Sequence, residues 1–259
     1  MAQSGIRFSL EEEDEWSEGD LSLEPFVIKG AASQWKAMHW TLDSLQQEVL
    51  QDNFVNKVLF GRREHLIGTV SYDEKCEFDE IDVATLKSIL IDKIPFEGDT
   101  NVPLHVQTHW VYMNYAHLFS RTKLDHLDDV DFTTILGDSQ EVRDLDKTLW
   151  IGSRGAHSPL HYDTMGWNLH AQLSGRKQWI LVSPTTKRAS RVERERRFGA
   201  RRIPYEETTV YSSIDVIGSP SCLSGVDGVR VFTLSPGDVL FIPPLWWHSA
   251  ICLSDQPGN

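Results

Sequence analysis

Three side chains stand out by type and spacing: His161 and Asp163 in Ser158-Pro159-Leu160-His161-Tyr162-Asp163, and His248 closing Leu245-Trp246-Trp247-His248. Two imidazoles and a carboxylate that leave coordination positions open form the set preferred by non-heme Fe(II) in oxygen-activating centres. In an extended strand residues i and i+2 project from one face, so His161 and Asp163 can converge on one ion while Tyr162 points away. Thiolates, which favour zinc or iron-sulfur clusters, are absent from both segments. A second His-x-Asp, His126-Leu127-Asp128, serves as a control. It lies in the acidic stretch 123–131, which lacks strand alternation and reads as a solvated loop or helix start.

The elements that must hold these groups are legible around them. Asn168 to Pro184 reads as two strands about a Ser174-Gly175-Arg176 turn. In the second strand Lys177, Trp179 and Leu181 share a face, so an inward Trp179 and Leu181 carry Lys177 inward too. A buried ammonium is costly unless an anion meets it, and that strand carries no carboxylate. A ligand carboxylate answers the need; a lysine reaching water from a hairpin edge is the alternative. Further on, the Pro236-Gly237-Asp238 turn precedes a buried strand, Val239 to Ile242, which Pro243 and Pro244 stop. They fix Trp246, Trp247 and His248 just past a rigid bend, suited either to a ligand or to an aromatic core corner with a hydrogen-bonded histidine.

Upstream, Pro25 to Ile28 reads as a strand, Ser33 to Trp40 as a short helix, and Thr41 to Leu50 as an amphipathic helix capped at Thr41. Lys57 to Phe60, His65 to Val70 and His109 to Met113 read as strands, and Ile81 to Ile91 as a helix. From Leu149 onward short strands alternate with Gly and Pro turns, the pattern of an antiparallel barrel or jelly roll.

The runs Trp150-Ile-Gly-Ser-Arg-Gly-Ala-His-Ser-Pro-Leu-His161-Tyr-Asp163, Gly175-Arg-Lys177-Gln-Trp179 and Pro236-Gly-Asp-Val-Leu-Phe-Ile-Pro243 with Trp246-Trp-His248 together resemble the JmjC-domain oxygenases. Glu24-Pro-Phe-Val-Ile-Lys-Gly30, with Trp35 and Trp40, is similar to the opening segment of JmjC hydroxylases. Leu149-Trp-Ile-Gly-Ser153 paired with Arg202-Ile-Pro-Tyr-Glu-Glu207 is most similar to the small heat-shock-protein-associated JmjC proteins. The likeness implies a mainly β fold with some α: a double-stranded β-helix (jelly roll, cupin-like) core over 146–259, an N-terminal α/β part over 21–145 and a disordered acidic lead-in over 1–20. It implies Fe(II) held by His161, Asp163 and His248, which are then the catalytic centre, and 2-oxoglutarate chelating the iron. Lys177 would meet the distal carboxylate, with Ser158, Tyr112 and Asn168 lining the cosubstrate pocket. For Ser158 the alternative is a turn residue before Pro159, and for Tyr112 a core aromatic on a strand. The implied chemistry turns 2-oxoglutarate and O2 into succinate and CO2 while oxidising an unreactive C–H bond.

Composition agrees with one enzyme-sized unit: 259 residues, 40% hydrophobic and rich in tryptophan, can bury a full core. A net charge of -13 argues against nucleic acid or an anionic membrane as partner. The local exception is the basic stretch 187–202, read as a solvated loop or short charged helix, or as a mobile loop recruiting an acidic peptide. No apolar leader precedes residue 20 and no long apolar run occurs, so a soluble protein of cytoplasm or nucleus is expected. Three cysteines without C-x-x-C spacing give neither a disulfide framework nor a zinc site.

The sequence runs eleven residues past His248, of which Ser254 to Asn259 reads as a loop where JmjC relatives carry another core strand; its loss would leave an unpaired sheet edge beside the cosubstrate pocket. Three functions are therefore expected: a protein hydroxylase, a lysine or arginine demethylase of the same chemistry, or a non-catalytic fold that binds a small heat-shock protein.

Overall fold

A computed structural model of the chain describes residues 23–52, 54–63, 76–98, 103–164, 166–186, 190–203 and 206–254. The acidic lead-in, the strand expected over 65–70 and most of the C-terminal loop lie outside those residues.

The chain enters through β1 (Phe26–Ile28). The helix expected over 33–40 is only a 3-10 turn, Lys36–His39. Thr41 caps the next segment as expected: Ser44 N–H donates to Thr41 Oγ1 at 3.1 Å and Thr41 N–H to Ser44 Oγ at 2.9 Å. The α turn Leu42–Ser44 then continues as a π turn, Leu45–Val49, burying Leu42, Leu45 and Val49. Strands β2 (Val55–Arg62), β3 (Glu77–Asp82), β4 (His109–His117) and β5 (Thr148–Gly152) form an antiparallel sheet ordered β3-β2-β4-β5. Helix α1 (Val83–Leu90) begins two residues later than the periodicity predicts. Ile81 and Asp82 are held in β3 by pairing with Asn56 and Val55, and Asp82 then caps the helix, accepting Thr85 N–H at 2.7 Å.

The remaining strands are β6 (His157–Asp163), β7 (Asn168–Ala171), β8 (Lys177–Val182), β9 (Arg201–Ile203), β10 (Glu206–Tyr211), β11 (Val229–Leu234), β12 (Val239–Ile242) and β13 (Trp247–Cys252). They divide between a six-stranded sheet, β11-β8-β13-β6-β10-β9, and a three-stranded sheet, β1-β12-β7. The chain crosses between the sheets at each of the expected turns. Residues 174–176 therefore do not close a hairpin: β7 pairs with β12, whereas β8 pairs with β11 and β13. Gly175, at φ +65°, supports this change of sheet. Trp179, Leu181, Leu234, Trp246 and Ala250 meet Leu240 and Ile242 in one core cluster, so the two sheets pack face to face as a jelly roll. The mainly β, cupin-like architecture expected from the sequence is the one observed.

Part of the basic stretch forms α2 (Arg191–Phe198), started by a reciprocal cap between Ser190 and Glu193 and ended by Gly199 at φ +57°. No helix among the described residues is long and apolar enough to cross a membrane.

Candidate metal centre

β6 and β13 are neighbours, and His248 lies directly opposite His161 in their register, with ring centroids 4.2 Å apart. Asp163 follows on the same strand, and one potential ligand atom from each of the three residues lies within 4.8 Å of the others. His161 Nε2 is 4.0 Å from Asp163 Oδ1 and His248 Nε2 is 3.7 Å from Asp163 Oδ2. Those distances exceed a hydrogen bond, so the three groups face a common point without satisfying one another.

The backbone sets which nitrogen is free. His161 Nδ1 is 2.7 Å from the Pro159 carbonyl and His248 Nδ1 is 2.9 Å from the Trp246 carbonyl. A carbonyl only accepts, so each Nδ1 carries the proton and each Nε2 presents a lone pair. Burial, followed by the neighbouring His248, pushes His161 down to about 4 against the pull of Asp163, which leaves the ring neutral at neutral pH. Leu245 takes φ +60° immediately after the two prolines, a conformation a leucine rarely adopts, and this bend delivers Trp246 and His248 into place. Tyr162 points away as expected: its hydroxyl donates to Glu195 Oε1 at 2.9 Å and its ring meets Trp247 edge-on.

A cavity of about 1300 Å³ opens over these groups, lined also by Tyr112, Ser158, Asn168, Lys177, Trp179 and His170. Lys177 is buried as predicted and makes no ion pair among the described residues; its Nζ donates to Tyr112 Oη at 3.3 Å. Burial opposes its charge, and the Tyr112 hydroxyl is the polar group that meets it. Trp179 lies between the two halves of the site, 5.7 Å from Lys177 Nζ and 6.2 Å from the His248 ring, and its buried Nε1–H has no partner among the described residues. A buried ammonium without an anion and an orphaned indole donor in one cavity fit an anionic ligand reaching toward the metal-binding triad.

The sequence-predicted helpers divide. Tyr112 is on a strand and buried, yet its hydroxyl is also the hydrogen-bond partner of Lys177. Asn168 lines the cavity and Asn168 Nδ2 donates to Asp163 Oδ2 at 2.7 Å, a link to the carboxylate that the sequence did not show. Ser158 is a strand residue of β6, not a turn residue, and its Oγ accepts Ala250 N–H at 3.3 Å. The control His126 stands apart, bound to Asp129 at 2.8 Å, a carboxylate that also holds Trp40 Nε1. Sequence reasoning missed His170, which packs on Trp179 at 4.8 Å and is pushed down to about 3, mainly by burial and next by Lys177. It is two residues beyond Asn168, and the same-face rule applied to His161 and Asp163 would have found it.

Residues 14–255 match the cupin-like domain family. The chain belongs to that family. Over 242 residues this cupin-like chain is 34% identical to HSPB1-associated protein 1 of Bos taurus, covering 87% of the chain and 45% of that protein. It is 24% identical over 233 residues to Jumonji C domain-containing protein 5 of Drosophila melanogaster, covering 87% of the chain and 51% of that protein. Over 163 residues it is 28% identical to Lysine-specific demethylase JMJ32 of Arabidopsis thaliana, covering 54% and 45%. The cupin-like chain spans about half the length of these relatives, and its likeness to JmjC proteins, above all to those associated with small heat-shock proteins, holds.

Proposed function

We propose that this chain is an Fe(II)- and 2-oxoglutarate-dependent protein hydroxylase of the JmjC type. The observation that carries the reading is the convergence of His161, Asp163 and His248 in the cavity that also holds the unpaired Lys177 ammonium. His161 and His248 would hold Fe(II) through Nε2 and Asp163 through its carboxylate, while Lys177 and Tyr112 would bind the distal carboxylate of 2-oxoglutarate. The bound pair supplies the oxidising chemistry; the protein's part is orientation and exclusion of water.

That part is built from the residues described. Asn168 fixes one oxygen of Asp163, leaving the other to turn toward the triad. Trp179 forms a wall between Lys177 and His248, so an oxo-acid spanning them lies against an aromatic face with an N–H to spare. The cavity exceeds the roughly 300–1000 Å³ typical of small-ligand pockets, which leaves room for an incoming side chain beside the cosubstrate.

The similarity to a lysine-specific demethylase supports a second reading, oxidation of an N-methyl carbon by the same centre. The relatives named for association with HSPB1 support a small heat-shock protein as partner, whether or not turnover occurs. The test is an anaerobic titration with Fe(II) and 2-oxoglutarate, following the weak visible charge-transfer absorption of the chelate in the parent and in His161→Ala. A band in the parent that the variant lacks supports the reading. Its absence in the parent would leave only the binding function.

A further inference from the structure

The cavity holds a titratable group to which the metal and cosubstrate roles give no task. His170 lies on β7 of the three-stranded sheet and lines the cavity with Lys177 and Trp179, which come from β8 of the facing sheet. Its neighbours set its tautomer. Gln172 Nε2 donates to the Ser174 carbonyl at 2.5 Å, so Gln172 Oε1 is the atom turned toward His170 Nε2, at 3.3 Å. An amide oxygen only accepts, so Nε2 carries the proton and Nδ1 keeps a lone pair. That Nδ1 has no hydrogen-bond partner among the described residues.

A free acceptor is the wrong group to meet an anion. The His170 ring packs on Trp179 at 4.8 Å, and Lys177 Nζ is 5.7 Å from the same indole, whose Nε1–H has no partner among the described residues. A carboxylate that meets Lys177 and that N–H comes up beside His170. Ionised carboxylates only accept hydrogen bonds, as does the bare Nδ1, so the two repel as they stand. One proton between them turns the repulsion into a charge-assisted bond. The charges around the ring show which group can take that proton. Tyr112 and Cys252 adjoin Lys177, and burial pushes both up, so each is already protonated at neutral pH. On β12 the residue opposite His170 is Leu240, and the Asp238 carboxylate is committed to Lys29, Gly30 and Ser235. His161, Asp163 and His248 are the metal-binding triad, in the other half of the site beyond Trp179. Only His170 at the Lys177 end has a proton to gain. Burial, and next the Lys177 charge, keep it neutral, and an arriving carboxylate cancels the second of these causes.

We propose that His170 is a proton-linked anchor for the distal carboxylate of 2-oxoglutarate: binding draws one proton from solvent onto Nδ1, and the imidazolium joins Lys177 in holding the ligand. The inference rests on the reading of this cavity as a 2-oxoglutarate site. A ligand that binds together with a proton loses affinity as the pH rises, by up to about tenfold per pH unit once the bound imidazolium begins to release it.

The test is calorimetric. The full chain, loaded with Mn(II), is titrated with 2-oxoglutarate between pH 6 and 8 in pairs of buffers that differ in ionisation enthalpy, so the heat reports protons taken up as well as ligand bound. The parent takes up close to one proton per ligand at the acid end, and its Kd rises toward pH 8. His170→Gln keeps a hydrogen-bonding side chain but cannot titrate. It binds about tenfold more weakly at pH 6, takes up no proton and has a flat pH profile. A merely structural histidine would weaken binding when replaced without changing the proton count. His126→Gln, on a histidine bound to Asp129 away from the cavity, leaves affinity and proton count unchanged. Binding by the parent without proton uptake, or uptake that persists in folded His170→Gln, overturns the proposal and leaves the cosubstrate reading standing. No binding by the parent at any of these pH values brings down both.

Discussion

His161 and His248 face each other across adjacent antiparallel strands, and each ring is turned by the carbonyl two residues before it, Pro159 and Trp246. The pair is thus preset to offer two Nε2 lone pairs before any ion arrives. Mn(II), a redox-quiet stand-in for Fe(II), should therefore stabilise the folded chain, by about 2.7 kcal/mol at a hundredfold excess over Kd. For a chain of this size that amounts to several degrees in Tm. His161→Ala and His248→Ala should lose the shift and His126→Ala should keep it; the same rise in all three would disconnect the triad from metal.

Lys177 gives a prediction of two signs. The residue is 6% exposed, and its ammonium is met by a phenol rather than a carboxylate. Lys177→Met removes a desolvated charge and keeps much of the packing, so the ligand-free protein should be as stable or up to about 4 kcal/mol more stable. The same change should weaken 2-oxoglutarate binding at least about tenfold, because the ligand loses its counter-ion. Urea denaturation and calorimetry read the two effects. A destabilised variant with undiminished binding would make Lys177 a structural residue.

What the sequence revealed and what it hid divide by range. The i, i+2 pairing of His161 with Asp163, the inward face of Lys177 and Trp179, and the strand Val239–Ile242 are local facts of alternation and turn chemistry, and all are observed. Sheet assignment is not local. Ser174-Gly175-Arg176 has hairpin composition, but β7 pairs with β12 and packs Leu169 and Ala171 against the core around Val239, while β8 pairs with β11 and β13. The bond from Asn168 to Asp163 was hidden for a related reason: it joins β6 of the six-stranded sheet to β7 of the three-stranded one, a separate change of sheet. For the basic stretch the charge density left a solvated loop and a short charged helix both open; the capping-box spacing of Ser190 and Glu193 is the local signal that favours the helix observed as α2.

His170 predicts a pH dependence. Its folded value, about 3, lies well below the ordinary 6.5, so between these limits the unfolded chain binds more protons than the folded one. Stability from this group is full above pH 6.5 and falls as the pH drops toward 3. Between pH 7 and 5 the loss should reach about 1–2 kcal/mol, and His170→Asn should flatten that part of the curve. Urea midpoints at both pH values decide it: parallel curves for parent and variant would mean that the imidazole is not held neutral.

Gly152 tests how tightly the Lys177 end of the cavity is built. It lies opposite Tyr112 in the pairing of β4 with β5. A methyl group there would meet Cys252 Sγ at 2.9 Å, Tyr112 Cδ2 at 2.9 Å and Ala156 Cβ at 3.0 Å. All three neighbours are buried, so none can move aside freely, and Gly152→Ala should cost about 1–3 kcal/mol of stability by overpacking. The displaced Tyr112 ring carries the hydroxyl that meets Lys177, so 2-oxoglutarate affinity should fall as well. Metal binding by the triad on β6 and β13 should change far less. Adding Cys252→Ala removes one of the three clashes and should restore part of both losses. If the double variant binds no better than Gly152→Ala, the crowding around Tyr112 is not what the glycine protects.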